Sequence, residues 1–138
     1  MALVNKSLLR RDTLTGRYEI HELLRQYGEE QLSASSQESE HIHNRHCDYF
    51  ASYMRQQWFP LLSLRQGVVL DEIGVEFTNI LEAWNCAVAK CRVESLDEMM
   101  LTLWAFYDLG MPHPEGAELF RRAVAALEAV PPDKETET

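Results

Sequence analysis

Apolar residues recur every three or four positions along most of this chain, which is the spacing of helices with one buried face. The longest such run lies within residues 67–91 and consists of Val69, Ile73, Phe77, Ile80, Trp84, Val88 and Cys91. The same spacing predicts helices over about 22–33, 37–59 and 114–129. A further helix is expected to begin at Ser95, because Glu98 follows it at the distance of a capping box. We therefore expect a mainly α chain of antiparallel helix pairs.

The apolar positions also predict which face each helix buries. In the helix of about 37–59 the expected stripe is Ile42, His46, Tyr49, Phe50, Tyr53 and Met54. In the helix after Ser95 it is Leu96, Met99, Met100, Leu103, Phe106 and Tyr107. In the last helix it is Ala117, Phe120, Val124 and Leu127. Together with the run in 67–91, these positions form the predicted core.

Before the first helix the apolar period changes to two. Tyr18 and Ile20 alternate with polar neighbours, which is typical of a half-buried strand. We expect two short strands at about 7–11 and 16–21, joined by a loop in which Gly16 supplies a positive φ. Because a lone hairpin is marginally stable in water, it is expected to pack against the helix that follows.

Breaks in the pattern divide the chain into segments. A small polar run at 33–36 separates the hairpin and its helix from the later helices, and two prolines follow the last helix. The predicted segments are 1–34, the hairpin with its helix; 35–94, a linking antiparallel helix pair; 95–132, a second helix pair; and 133–138, a frayed charged tail.

Charge and composition narrow the classes of function. Hydrophobic residues make up 46% of the chain, which is typical of a globular protein, and 13 basic against 22 acidic residues give a net charge of −9. This balance argues against binding of nucleic acid or of an anionic membrane surface, since both need clustered Lys and Arg. No apolar run approaches the ~20 residues that span a bilayer. Three cysteines without a Cys-x-x-Cys pair are typical of a cytoplasmic protein.

One group of residues has the composition of a metal site. His43 and Cys47 lie four positions apart and would share a helix face, as zinc ligands can. A closed zinc site needs four ligands, and no second cluster follows nearby, so we expect no metal and a buried, inert Cys47. No nucleophile or carboxylate pair marks an active site, and we expect the chain not to be an enzyme.

The most specific pattern lies between Gly16 and Tyr27. A short strand runs directly into an amphipathic helix, and Ile20, His21 and Glu22 stand at the junction. This resembles the end of the winged-helix subdomain in signal-transduction ATPases of the NB-ARC/STAND class, where a Met-His-Asp-type motif senses the bound nucleotide. The resemblance implies that His21 senses ATP or ADP in a longer parent, with Ile20 and Glu22 beside it. Glu22 is expected to suit the helix dipole and to hold the histidine ring.

Three further stretches are similar to parts of bacterial STAND regulators and occur in the same order. Residues 45–50, Arg-His-Cys-Asp-Tyr-Phe, resemble an Arg-His-x-x-Tyr-Phe segment of the linking helix, and residues 76–79, Glu-Phe-Thr-Asn, resemble a Glu-x-x-Asn segment that opens the sensor. Residues 97–130 resemble one tetratricopeptide unit. Its matching positions are Trp104, Tyr107, Gly110, Ala117, Phe120, Ala123 and Pro131. The chain is therefore expected to be a fragment of such a regulator.

The resemblance implies a regulatory segment of an ATP-dependent switch. Its partners would be the nucleotide-binding domain of the same parent chain and a protein or small-molecule inducer. The sequence has no Gly-x-x-x-x-Gly-Lys-Ser/Thr loop, so we expect no cofactor in this chain and no ATPase activity from it alone. Two alternatives stay open: a stand-alone helical-repeat scaffold, and a winged-helix DNA-binding regulator with basic residues on its wing, namely Lys6, Arg10, Arg11 and Arg17.

The helical part offers two candidate interaction surfaces. One is an aromatic set that would line a peptide groove or belong to the core: Trp84, Trp104, Tyr107 and Phe120. The other is the last helix, whose apolar residues cannot all face one partner helix: Leu119, Val124, Leu127 and Val130. Since exposed apolar patches tend to find a partner surface, the second set predicts a homodimer through the C-terminal helices.

Overall fold

The computed structural model describes residues 8–110 and 114–130. Two short strands come first, β1 (Leu9–Arg11) and β2 (Tyr18–Ile20). Helices follow the hairpin: α1 (Glu22–Ser33), α2 (Ser36–Leu61), α3 (Gln66–Ala89), α4 (Val93–Gly110) and α5 (Pro114–Glu128). The predicted fold class, mainly α with a short hairpin, is confirmed. The chain forms two compact units, one up to Ile42 and the other from His43.

In the first unit, Asp12 closes the hairpin loop. β1 and β2 are antiparallel, with Leu9 opposite Ile20. The Asp12 N–H donates to the Arg17 carbonyl at 2.8 Å, and its carboxylate accepts from the Leu14 N–H at 2.8 Å. Gly16 has a φ of 72°, as the loop was predicted to require. The strands are shorter than the predicted 7–11 and 16–21, and residue 7 lies outside the described residues.

In the second unit, α3 supplies the stripe on which the other helices pack. Its buried residues are Val69, Ile73, Ile80, Ala83, Trp84 and Ala87. α4 and α5 both pack against α3. On the α2 side, the Cys47 thiol donates to the Ala83 carbonyl at 3.5 Å, and the buried Thr102 hydroxyl of α4 donates to the Met54 carbonyl of α2 at 2.8 Å. These bonds satisfy polar groups that burial would otherwise leave without partners.

The buried face of α2 differs from the predicted one. The structure buries Cys47, Phe50, Ala51, Met54 and Leu61, whereas Tyr49 is 65% exposed and Ile42 is 46% exposed. The buried positions 47 and 51 lie on one side of α2, and position 49, two residues from each of them, lies on the other side. The prediction was therefore right for Phe50 and Met54 and wrong for Ile42 and Tyr49.

The turn between α3 and α4 is tighter than the sequence suggested. Cys91 has a φ of 50°, in the left-handed region, and its N–H donates to the Val88 carbonyl at 3.2 Å. The Arg92 N–H donates to the Ala87 carbonyl at 2.9 Å, which completes a Schellman motif. The chain reverses so quickly that α4 begins at Val93. Ser95 is then a buried residue of the first turn and not the predicted cap.

Polar side chains attach this turn to α2. The Arg92 guanidinium pairs with the Asp48 carboxylate at 2.5 Å and also donates to the Asn44 carbonyl at 3.3 Å. The Lys90 ammonium donates to the Asn44 side-chain oxygen at 2.7 Å. Since Arg92 is only partly exposed, this pair is better shielded from solvent than an ordinary surface ion pair.

The rotation of α5 is set where its first turn meets α4. A Cβ added at Gly116 would lie 2.9 Å from the Tyr107 ring, so this contact requires glycine. The predicted face of α5 was partly wrong, because Ala117 and Val124 are exposed and Ala123 is buried. Leu119, Phe120 and Leu127 pack against the core as half-buried side chains.

We predict opposite effects of two glycine-to-alanine changes. Gly116→Ala should lower the free energy of unfolding by about 1–3 kcal/mol, because the new methyl group overlaps the Tyr107 ring. Gly74→Ala should raise it by about 0.5–1 kcal/mol, because a Cβ there meets nothing within 4 Å and alanine favours the helix. Urea denaturation followed by circular dichroism measures both. Stabilisation by both changes would contradict the close contact at Gly116.

A second prediction concerns the left-handed Cys91. Cys91→Gly should be more stable than Cys91→Ala by about 1 kcal/mol, because alanine is strained at positive φ. At Cys86, inside α3, the order should reverse, with Cys86→Gly less stable than Cys86→Ala by about 1 kcal/mol. The same order at both positions in urea denaturation would rule out the left-handed turn.

Candidate functional site

His21 stands between the end of β2 and the start of α1. It is the N-cap of α1, with extended backbone angles (φ −62°, ψ 139°), and its ring Nδ1 accepts from the Leu23 N–H at 3.3 Å. This bond satisfies one of the backbone N–H groups that the first turn of a helix leaves without a carbonyl partner. The side chain remains exposed to solvent. His21 therefore has a structural task on one ring nitrogen and an accessible ring.

Glu22 does not hold the histidine ring. Its carboxylate accepts from the Arg25 guanidinium at 2.6 and 2.9 Å and from the Gln26 amide at 3.2 Å. The hydrogen bond from Arg25 has the largest effect, and together these bonds hold the pKa of the Glu22 carboxyl below its usual range. The negative charge in the first turn of α1 suits the helix dipole, as expected. Ile20, the first residue of the motif, is 48% exposed and lies opposite Leu9 in the hairpin.

Two of the other family-like stretches serve internal contacts. Cys47 and Phe50 belong to the core, and Asp48 pairs with Arg92. The Asn79 amide donates to the Glu76 carboxylate one turn earlier in α3, at 2.8 Å.

The outer face of α2 carries a shallow depression of about 540 Å³ lined by Arg45, Asp48, Tyr49, Ser52, Tyr53 and Gln56.

The four aromatic residues proposed as a partner site do not share one surface. Trp84 is 2% exposed and stacks edge-on against Phe120, with ring centroids 5.3 Å apart. Its indole nitrogen is buried and has no hydrogen-bond acceptor within the described part of the chain. Tyr107 is half-buried, with its ring 5.8 Å from that of Phe77. Trp104 is 53% exposed. Trp84, Phe120 and Tyr107 therefore take part in core packing. Of the four aromatic residues, Trp104 is the one that faces solvent.

The structure contains a groove that the sequence did not reveal. It runs between α3 and α4, has a volume of about 580 Å³, and is lined by Gly67, Leu70, Asp71, Gly74, Phe77, Phe106, Tyr107, Leu109, Gly110 and Glu115. We call it the α3–α4 groove. The available signal was the pair Gly67 and Gly74, seven positions apart in a helix that is otherwise rich in apolar residues.

Burial determines the state of Cys47. Desolvation raises the pKa of its thiol, which favours the protonated, non-nucleophilic form.

Across residues 8–110 and 114–130, no three His, Cys, Asp or Glu side chains are grouped as metal ligands would be. Within the same residues, no helix is both long enough and apolar enough to cross a membrane.

The surface of α5 bears on the predicted homodimer. Leu119 and Leu127 pack against the core, whereas Val124 is 54% exposed and Val130, just beyond the helix, is 48% exposed. Of the four residues predicted for the interface, Val124 and Val130 are therefore the most exposed, and the dimer stays a prediction.

Comparison of the chain with protein-family models, with curated proteins and with solved structures found no match in any of the three.

The capping role of His21 predicts different effects of two substitutions. His21→Ala should weaken α1 by about 1 kcal/mol, because the Leu23 N–H loses its acceptor. His21→Asn should have little effect, because asparagine is among the best N-cap residues. Amide hydrogen exchange of α1, read by NMR, measures both. Equal protection in the two variants would show that the side chain at 21 does not cap the helix.

Proposed function

We propose that this chain is a non-catalytic coupling segment of an ATP-dependent signalling switch of the STAND type. The observation that carries the proposal is the position of His21. The family motif places a histidine at a strand-to-helix junction, and here His21 directly follows β2 and directly precedes α1, with an exposed side chain. The partners under this proposal are the nucleotide-binding domain of the parent and an inducer, and the location is the cytoplasm.

The geometry of the ring suits a phosphate sensor. Because Nδ1 accepts a hydrogen bond from the Leu23 N–H, the neutral ring carries its proton on Nε2. An Nε2–H group can donate one hydrogen bond to a phosphate oxygen. The cap thus selects the tautomer and fixes the ring, much as a backbone partner orients a metal-binding histidine. If Nε2–H donates to the phosphate that ATP has and ADP lacks, this hydrogen bond forms with ATP and is lost with ADP.

α2 is the element that we propose as the connection. It is one continuous helix from Ser36 to Leu61, it begins in the first unit, and its buried residues belong to the core of the second. Coupling between two sites requires an element whose equilibrium both sites bias. In this proposal the nucleotide state acts through α1 and the inducer acts on the helical unit.

The stand-alone scaffold remains the second candidate, because the α3–α4 groove lies wholly within the second unit. Under that alternative the helical unit binds a protein partner and no nucleotide is involved. The two candidates differ in whether His21 has any task besides its cap.

His21→Asn separates sensing from capping in the complete protein that the gene encodes. The variant keeps the cap and removes the imidazole, so retention of ADP during dialysis should change severalfold while α1 stays folded. His41→Asn, an exposed histidine on α2, is the matched control and should leave retention unchanged. Retention equal to that of the unmodified protein in His21→Asn would show that His21 is only a cap and would favour the scaffold.

The 138-residue chain by itself provides the companion control. Calorimetric titration with ATP and Mg²⁺ should give no binding heat, because the sequence lacks a phosphate-binding loop. Micromolar binding would contradict the proposal that a separate domain binds the nucleotide and that this segment alone does not.

A further inference from the structure

The α3–α4 groove has an apolar aromatic floor. The rings of Phe77 and Phe106 stack with centroids 5.1 Å apart, and Tyr107 meets Phe77 edge-on at 5.8 Å. Leu70 and Leu109 extend this surface, and Leu109 is 45% exposed. A pocket of this size, lined mainly by aliphatic and aromatic side chains, is typical of a binding surface.

At two glycines along the groove, no contact with the described residues requires glycine. A Cβ at Gly67 or Gly74 would meet nothing within 4 Å, and neither residue has a positive φ. Gly74, in the interior of α3, weakens the helix by about 1 kcal/mol relative to alanine without a gain in internal packing, and Gly67 lies in the first turn of the same helix. The contrast is Gly116, where a Cβ would overlap the Tyr107 ring. Bare backbone at 67 and 74 lets a second backbone approach α3 closely.

The dimensions of the groove fit a helix. Gly67 and Gly74 are seven residues apart, so they lie two turns apart on the same side of α3. From Gly67 to Phe77 the wall is about 15 Å long, which is nearly three turns of a docked helix. An amphipathic helix that lies in an apolar groove is a recurrent way of recognising a peptide.

The charge of the rim selects the occupant. The charged residues that line the groove are Asp71 and Glu115, and the described lining has no Lys or Arg. The whole chain carries a net charge of −9, so a second copy would bring like charge to this rim. A basic helix instead gains attraction to both carboxylates.

We propose that the α3–α4 groove binds an amphipathic helix of a partner protein, with small and apolar residues on the face toward Gly67 and Gly74 and with lysine or arginine on its flanks. All of its described lining residues lie in the second unit, so the site can be tested in this chain without nucleotide. It supplies a receiving surface for the inducer if the proposed function holds, and for a scaffold partner if it does not.

The test uses designed peptides and the full chain. The probe is a peptide of about 16 residues, long enough to form an isolated helix, with alanine and leucine on one face and lysine elsewhere. Its controls are the same peptide with glutamate in place of lysine and a scrambled version without an apolar face. Binding is measured by calorimetry and located by NMR shifts. We expect the lysine peptide to bind and to shift the amides of Gly67 and Gly74, while both controls bind at least tenfold more weakly.

Variants of the chain then test the groove itself. The double change Gly67→Ala and Gly74→Ala should weaken the lysine peptide at least tenfold, which is about 1.4 kcal/mol, although it stabilises the fold. Gly28→Ala is the matched control, because Gly28 also lies in a helix, with open space around a Cβ, but on α1. It should leave binding unchanged. Asp71→Lys should weaken the lysine peptide and strengthen the glutamate peptide.

Three results would overturn the proposal. The first is no binding of the lysine peptide, and the second is binding that the double glycine change leaves intact. The third is a dimer in light scattering that the double change dissociates, since the occupant would then be a second copy of this chain.

Discussion

The second unit depends on the burial of one face of α3. The side chains from Val69 to Ala87 on this face are the surface that α2, α4 and α5 cover, and Ala83 and Ala87 let the neighbouring helices come close. The buried Cys47 thiol and Thr102 hydroxyl donate to carbonyls of the neighbouring helices, so neither polar group is left without a partner in the core. A helix that buries one face in the core exposes its opposite face to solvent. On α3 the exposed face includes Gly67 and Gly74, and both line the groove.

Regular periodicity made most of the fold predictable, and packing detail did not follow from it. The bounds of α1 agree with the predicted 22–33, and the stripe of α3 is right at Val69, Ile73, Ile80 and Trp84. The face of α2 was misplaced because the predicted stripe was centred on large side chains, whereas the buried face includes the small residues Cys47 and Ala51. Ser95 has the sequence of a cap, but the left-handed Cys91 starts α4 before it.

The two candidate sites also differ in how far the sequence predicted them. His21 was found from the sequence because its task is local: a strand end, a cap and a helix start occupy consecutive positions. The groove was missed because it exists only where α3 and α4 lie side by side, and each glycine alone is an unremarkable feature of a sequence. Gly116 was missed for the same reason, since its contact is with a ring nine positions earlier in the chain.

Under the proposed function, the two ring nitrogens of His21 connect stability with signalling. One is occupied by the Leu23 N–H, which orients the other toward a donor role, and α2 continues from the first unit into the core of the second. If both the nucleotide and the partner helix bias that element, thermodynamic linkage requires that each changes the affinity for the other by the same factor.

The most direct measurement is the affinity of the lysine-rich helical peptide for the complete protein, loaded in turn with ADP and with a non-hydrolysable ATP analogue. We expect affinities that differ by about 5- to 150-fold between the two nucleotide states, which is the usual range of allosteric coupling. His21→Asn should bring the two affinities together while the cap is kept. Equal affinities in the unmodified protein would contradict the coupling.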